Sequence, residues 1–270
     1  MPFLPREGLT LEFLVQPWIK LLLQPLVTGA LLAAAIRRPE SVQPVLSRVL
    51  QSNLSIEALK VGLKWLVGLG TLHHASRYLD RKAYNNWTSD NLWDWTNELI
   101  VVTGGSSGMG EAMVRQFATR GIKVVIIDIQ EPLTKNLPEN VHFFHADLSS
   151  IDSIRAVSTK IRDQLGDPTV LINCAGIGTT RRSVADETSE FVQKIFAVNT
   201  MSHFHLIREF LPAMVKRNHG HVVNVASGAG LAVFAGNVAY GASKAAAIAL
   251  HEGLAQEIRH RHRALKVRTR

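Results

Sequence analysis

From about residue 99 onward, short unbroken apolar runs alternate with stretches whose apolar residues return every third or fourth position. Leu99-Ile-Val-Val-Thr and Lys123-Val-Val-Ile-Ile predict buried strands, as does the run His221-Val-Val-Asn-Val-Ala-Ser. Glu111-Ala-Met-Val-Arg-Gln-Phe-Ala and the stretch Phe191 to His205 predict helices. Strands alternating with helices predict a doubly wound α/β domain built on a parallel sheet, over residues 99–270. The final run, Leu265-Lys-Val-Arg-Thr-Arg, predicts the start of a sixth strand, so the sheet is expected to be incomplete at its C-terminal edge.

The first 98 residues follow another pattern. Between Lys20 and Arg37 lie 16 residues without charge. As one helix they would reach about 24 Å, short of a hydrocarbon core of roughly 30 Å. A second apolar run, Val61 to Leu72, contains Lys64 and Trp65. Residues 1–72 therefore predict an apolar helical hairpin or interfacial anchor, with Trp18, Trp65, Lys20 and Arg37 available at headgroup depth. Two other readings fit the same segment: a secretory signal, weakened by Pro25 and a poorly charged start, and a helical appendage packed on protein. Residues 73–98, rich in Arg, Asn and Trp, predict a connector that suits a bilayer surface or a docking segment equally.

Composition narrows the picture. A hydrophobic content of 46% can build a core, and the sole cysteine, Cys174, excludes an intrachain disulfide. The 11 histidines are scattered, and no metal-ligand spacing is present. Of the formal net charge of +8, six positive charges fall at Arg259, Arg261, Arg263, Lys266, Arg268 and Arg270. The remainder is close to neutral, which argues against a nucleic-acid partner.

Candidate chemistry begins at the turn after the first strand. The order strand, Gly-rich turn, helix is what a phosphate cradle needs: glycines allow close backbone approach, and free amides at a helix start attract a pyrophosphate. Gly104, Gly108 and Gly110 are the glycines assigned to this task. Asp128 ends the second strand 18 residues past Gly110, near the spacing of an acid that binds ribose hydroxyls. A carboxylate there repels a 2'-phosphate, so NAD(H) is favoured over NADP(H); a cation supplied from elsewhere in space would admit the latter. Tyr240 and Lys244 are one helical turn apart, and Tyr240 lies 13 residues after Ser227. On one helix face an ammonium stabilises a phenolate, which lets a phenol exchange protons with a carbonyl or alcohol.

Together these residues resemble the short-chain dehydrogenase/reductase superfamily, in the branch whose turn reads TGxxxGxG and whose active site reads YxxxK. Thr103 to Gly110 matches the turn, Asp128 the ribose acid, Asp147-Leu148 the adenine contact, and Asn173 to Gly176 the sheet motif, with Cys174 where a second Asn is usual. The resemblance implies a Rossmann-like fold and a catalytic set of Asn199, Ser227, Tyr240 and Lys244. Its cofactor contacts would be Gly104, Ser106, Ser107, Gly108, Met109, Gly110, Asp128, Asp147, Leu148, Asn173, Ala175 and Gly176, joined by Tyr240 and Lys244. Ser227 would hydrogen-bond the substrate oxygen, Tyr240 would exchange its proton, Lys244 would bind the nicotinamide ribose, and Asn199 would hold a water relaying protons to Lys244.

The apolar leader followed by a basic aromatic connector resembles the membrane-associated retinol and 17β-hydroxysteroid dehydrogenase branch. That likeness implies a lipophilic alcohol or carbonyl substrate, and a place on the endoplasmic reticulum or a lipid droplet with the catalytic domain facing the cytosol. It further implies pairing of two copies through the helices that carry Asn199 and Tyr240. Members of this type continue beyond the sixth strand, so the chain reads as a truncated form. Two rivals stand beside an enzyme: a non-catalytic dinucleotide-binding or interaction protein, and a sugar-nucleotide epimerase, which usually has other glycine spacing.

Overall fold

The computed structural model of the chain describes residues 11–50, 55–132 and 137–270. These residues fall into two compact units, divided between Tyr84 and Asn85.

The first unit contains α1 (Leu11–Leu22), α2 (Pro25–Arg37), α3 (Pro39–Leu50) and α4 (Ile56–Tyr84). The charge-free run is not one helix. Pro25 opens α2, where its missing N–H costs nothing, and the axes of Val15–Leu22 and Pro25–Arg37 are bent by 61°. No single described helix is long and apolar enough to cross a membrane, although this bent pair meets the length and composition together. On α2 the buried residues are Thr28 and Ala35, and on α4 they are Leu63 and Gly70. Both pairs are spaced by two helical turns, which puts each on one face, and the two helices pack together. Residues 73–84 complete α4, whereas 85–98 lie in the second unit.

The second unit is the expected doubly wound α/β domain. Its strands are β1 (Leu99–Thr103), β2 (Lys123–Asp128), β3 (Val141–His145), β4 (Val170–Asn173), β5 (Gly220–Asn224) and β6 (Val267–Thr269). All neighbours pair in parallel, in the order β3-β2-β1-β4-β5-β6. The final run does form a sixth strand, with Val267 opposite Gly220 and Thr269 opposite Val222. Helices α5 (Gly108–Ala118), α6 (Ile151–Leu165), α7 (Ser189–Phe196), α8 (Ser202–Arg217) and α9 (Val238–Gln256) cover the sheet. Because both faces are covered, strands read as continuous apolar runs: every residue of β1 is buried. Leu99 and Val101 join one core layer with Leu171, Val222, Leu206 and Phe210. Ile100 and Val102 join the other, with Val114, Ile126 and Ile172.

At the N-terminal edge of the sheet a buried ionic cluster ties the segment 85–98 down. His219, which precedes β5, contacts Asp90 through Nδ1 at 2.5 Å and both oxygens of Glu98 through Nε2 at 3.1 Å. Trp93 packs on the same imidazole, with ring centroids 4.9 Å apart. Each buried charge in this cluster has a partner, the condition under which burying it is tolerable.

Candidate active site

The opposite edge, at the C-terminal ends of the strands, holds a cleft of about 410 Å³. In open α/β sheets ligands bind at this edge, where the strand order reverses, which here is between β1 and β4. The Gly-rich turn forms its floor. Gly104 adopts φ +67°, and a side chain there would meet the Ala175 backbone at 2.8 Å. A Cβ on Gly110 would lie 2.1 Å from the Gly104 carbonyl oxygen, so only glycine lets α5 start this close to the turn. Gly104, Ser107, Gly108, Met109 and Gly110 line the cleft. Ser106 does not. It is buried, and its hydroxyl donates to the Gln130 carbonyl at 2.6 Å, which braces the turn against the end of β2.

Two carboxylates mark one half of the cleft. Asp128 accepts the Ser106 N–H and the Gln130 N–H, each at 3.0 Å and on different oxygens, so its orientation is fixed before any ligand arrives. Asp147 accepts the Ser149 amide at 2.9 Å and the Ser149 hydroxyl at 2.8 Å. These bonds, the amide foremost, hold its carboxyl below the usual range against the opposing effect of burial. Leu148 completes this wall, and Lys194 from α7 faces it.

The central wall is built by β1 and β4. Thr103 Oγ1, fully enclosed, accepts the amides of Cys174 and Ala175 at 3.0 Å each. That bond pair holds Ala175 and Gly176 open toward the cleft they line. Asn173 does not reach the cleft: it is wholly buried and donates from Nδ2 to Asn224 Oδ1 at 2.8 Å.

Tyr240 and Lys244 line a second hollow of about 320 Å³, which shares Met109, Cys174, Gly176 and Ile177 with the first. The Lys244 ammonium lies 5.9 Å from the centre of the Tyr240 ring and donates to the Val225 carbonyl at 2.8 Å. Its burial lowers the Lys244 pKa, and the neighbouring Cys174 opposes that shift. Burial likewise raises the Cys174 thiol, against the pull of Lys244. Ser227, half-buried after β5, accepts the Ala229 N–H at 3.2 Å, which leaves its own O–H to donate.

Asn199 sits in a π-helical segment, Ala197–Met201, that interrupts the passage from α7 to α8. Such bulges occur frequently at functional sites. Its side chain is fully engaged. Oδ1 accepts the Ile177 N–H at 2.8 Å, and Nδ2 donates to the Ile177 carbonyl at 3.0 Å and to Ser243 Oγ at 3.1 Å. A Cβ on Gly176 would lie 3.2 Å from this oxygen and 3.6 Å from the Lys244 nitrogen, so glycine keeps the two polar groups adjacent.

Several residues of the site carry no recognisable spacing signal. Lys194, Val198, Ile129 and Gln130 reach the cleft only through the packing of α7 and the end of β2. Thr103 was visible as the last residue of an apolar run, but nothing local says that its hydroxyl serves two amides from another strand. Among the described residues no group of three or more His, Cys, Asp or Glu side chains is placed to hold a metal.

Comparison with known proteins agrees with this arrangement. Residues 98–268 match the family model for short chain dehydrogenase. Over 204 residues the chain is 40% identical to dehydrogenase RED2 of Cochliobolus heterostrophus, covering 75% of this chain and 76% of that one. It is 37% identical over 168 residues to estradiol 17-beta-dehydrogenase 11 of Rattus norvegicus, covering 60% of this chain and 56% of that protein. Among solved structures, 4-hydroxyisoleucine dehydrogenase complexed with NADH superposes with a TM-score of 0.58 at 29% identity, over 64% of this chain and 72% of that one. A metagenomic short-chain oxidoreductase in complex with NADP gives 0.57 at 29% identity, over 65% and 80%. The chain belongs to the short-chain dehydrogenases, oxidoreductases that act on CH–OH groups.

Proposed function

We propose that the chain interconverts a lipophilic alcohol, of the retinoid, steroid or fatty-alcohol class, with its ketone or aldehyde, using NAD(H). The observation that carries this reading is the single hollow that joins Tyr240 and Lys244 to the glycine-floored cleft through Met109, Cys174, Gly176 and Ile177. The residues present fit a dinucleotide: open amides at the start of α5, the close approach at Gly110, and a fixed acid at the end of β2. Gly104, Ser107, Gly108 and Gly110 would hold its pyrophosphate, Asp128 a ribose diol, and Asp147 with Leu148 the adenine. When bound, the nicotinamide supplies hydride chemistry. Asp128 favours NAD(H), because a 2'-phosphate would meet its immobilised charge.

The protein's own part is proton transfer and orientation. Ser227 donates its free O–H to the substrate oxygen and fixes its position. Tyr240 gives a proton to that oxygen in reduction, or takes it in oxidation. Lys244, held by the Val225 carbonyl, stabilises the phenolate that donation leaves behind and is placed to bind the nicotinamide ribose. Asn199 clamps the Ile177 backbone, keeping the wall beside Lys244 in place; with both of its N–H groups spent there and on Ser243, its side chain has no donor left for the relay water expected of it.

The lipophilic substrate class rests on two supports. One is the 37% identity to an estradiol 17-beta-dehydrogenase. The other is the first unit, which exposes Trp18, Leu26, Trp65 and Leu72, Leu26 at 81%, beside Lys20 and Arg37. Apolar and aromatic side chains bordered by cations suit an interface with lipid. We assign this unit to a membrane or lipid-droplet surface of the endoplasmic reticulum system, with the second unit on the cytosolic side.

A panel of long-chain, steroid and retinoid alcohols offered with NAD⁺ and with NADP⁺ tests the reading. Turnover with NAD⁺ is expected, and Tyr240→Phe should lower kcat/KM by about 10²–10⁴-fold while still binding NADH. A folded protein that binds NADH yet turns over nothing on the panel would instead make it a dinucleotide-binding protein without catalysis.

A further inference from the structure

Four polar atoms at the active-site edge of the sheet are buried and lack a hydrogen-bond partner among the described residues: Nδ1 and Nε2 of His203, Oδ1 of Asn173 and Nδ2 of Asn224. The fold brings them to one place. Asn173 and Asn224 end β4 and β5 opposite one another in the register, and each shares its strand face with Leu171 or Val222. His203 lies in the first turn of α8, three and seven residues before Leu206 and Phe210, on the face that packs against those same strand residues. The ring is 0% exposed.

Asn173 spends one N–H on Asn224 Oδ1, which leaves its own oxygen as an acceptor and the Asn224 NH₂ as a donor group. Burial, reinforced by the field of Lys244, pushes the His203 pKa down to about 4, so near neutral pH the ring carries one donor and one acceptor. A water that donates to the Asn173 oxygen and accepts from the Asn224 NH₂ can also meet one ring nitrogen, while the other nitrogen points away and calls for a second water; buried polar groups without protein partners are generally met by ordered water. The Lys244 cation on α9 bears on the ring, and α6, which packs on α8, buries the Ser158 hydroxyl, also without a partner among the described residues.

We propose that His203, Asn173 and Asn224 form a buried water site beneath the C-terminal ends of β4 and β5, and that through it His203 is a positioning residue for Lys244. The link is short in sequence. Asn224 is followed by Val225, whose carbonyl receives the Lys244 ammonium, so fixing the end of β5 fixes that acceptor. The water site stands on the structure alone; the positioning role rests on the dehydrogenase reading given above.

A crystal structure of the whole chain at a resolution that shows ordered water tests the first part. Water within hydrogen-bond distance of the His203 ring and of either amide is expected, whereas a dry ring, or one bonded directly to protein, overturns the site. For the second part, His203→Phe should leave NADH affinity within about twofold and lower kcat about tenfold, the size expected for losing one buried hydrogen bond. It should also move the acidic limb of the kcat/KM pH profile upward, and His203→Gln should restore both. A folded His203→Phe with wild-type kcat and an unmoved profile overturns the positioning role. Lysine NMR titration of wild type and His203→Gln reads Lys244 without turnover or a phenylalanine variant. A Lys244 pKa that differs between His203→Phe, or His203→Leu where that variant does not fold, and the other two supports the role, and identical values reject it. Absence of turnover in the wild type therefore fails the dehydrogenase reading alone.

Discussion

His219 and His203, at the two edges of one sheet, are buried in opposite ways. At the N-terminal edge His219 is gripped by Asp90 and Glu98, and Trp93 closes over it. At the C-terminal edge His203 has no partner among the described residues, Lys244 is buried with its pKa depressed, and glycine backbones come close enough to exclude any side chain. The first arrangement spends polar groups on holding the segment 85–98 in place. The second leaves polar groups unspent, poised for a ligand, a proton or a water. Perturbed ionisable groups gathered in a cleft are a recognised mark of function, and Lys244 with Cys174 meets that description at the C-terminal edge.

Removing His219 should give the largest effect on stability. His219→Ala leaves two carboxylates buried without their shared partner, a loss of about 3–5 kcal/mol in denaturant unfolding. NADH affinity of the protein that remains folded should not change. A variant as stable as wild type would show that the lower cluster is not what secures the segment 85–98.

Acid should have a smaller effect. The His203 pKa is about 4 in the folded chain and ordinary in the unfolded one, so the folded state refuses a proton that the unfolded state accepts. His221, lowered to about 4 by burial and by Arg270 and Arg268, behaves the same way. The stability they confer is complete above about pH 6.5 and is lost as pH falls toward 4. For His203 the loss is on the order of 3 kcal/mol across that window. Urea unfolding between pH 7 and pH 4.5 should therefore show a shallower decline in His203→Gln than in wild type. Parallel curves would mean that the ring is protonated inside the folded protein.

The same comparison shows what a sequence carries and what it hides. Strands β1 and β2 were legible because both faces are covered, which turns each into an uninterrupted apolar run, and the glycine turn was legible because a backbone approach at Gly110 tolerates no other residue. Tyr240 and Lys244 were legible through their spacing of one helical turn, and Asn199 only through the family resemblance. What spacing does not encode is direction. Asn173 belongs to the same short motif as Ala175 and Gly176, yet strand alternation turns it away from the cleft and toward Asn224. Ser106, one residue from Ser107, likewise turns inward to brace the end of β2. The π-helical step at Asn199 and the pairing of His219 with residues 121 and 129 positions earlier depend on tertiary packing, and no local pattern announces them. In the first unit the charge-free run was visible, but its division at Pro25 set the helix lengths that hydropathy alone left open.

Calorimetric titration of NADH into wild type and into Gly110→Ala addresses the central claim most directly: that the glycine-floored cleft receives a dinucleotide in front of Tyr240. The account predicts micromolar binding to wild type and at least about tenfold weaker binding to a folded Gly110→Ala, because the added methyl pushes α5 away from the turn. Wild-type protein that is folded and takes up no NADH, or a Gly110→Ala variant that binds it equally well, would contradict it.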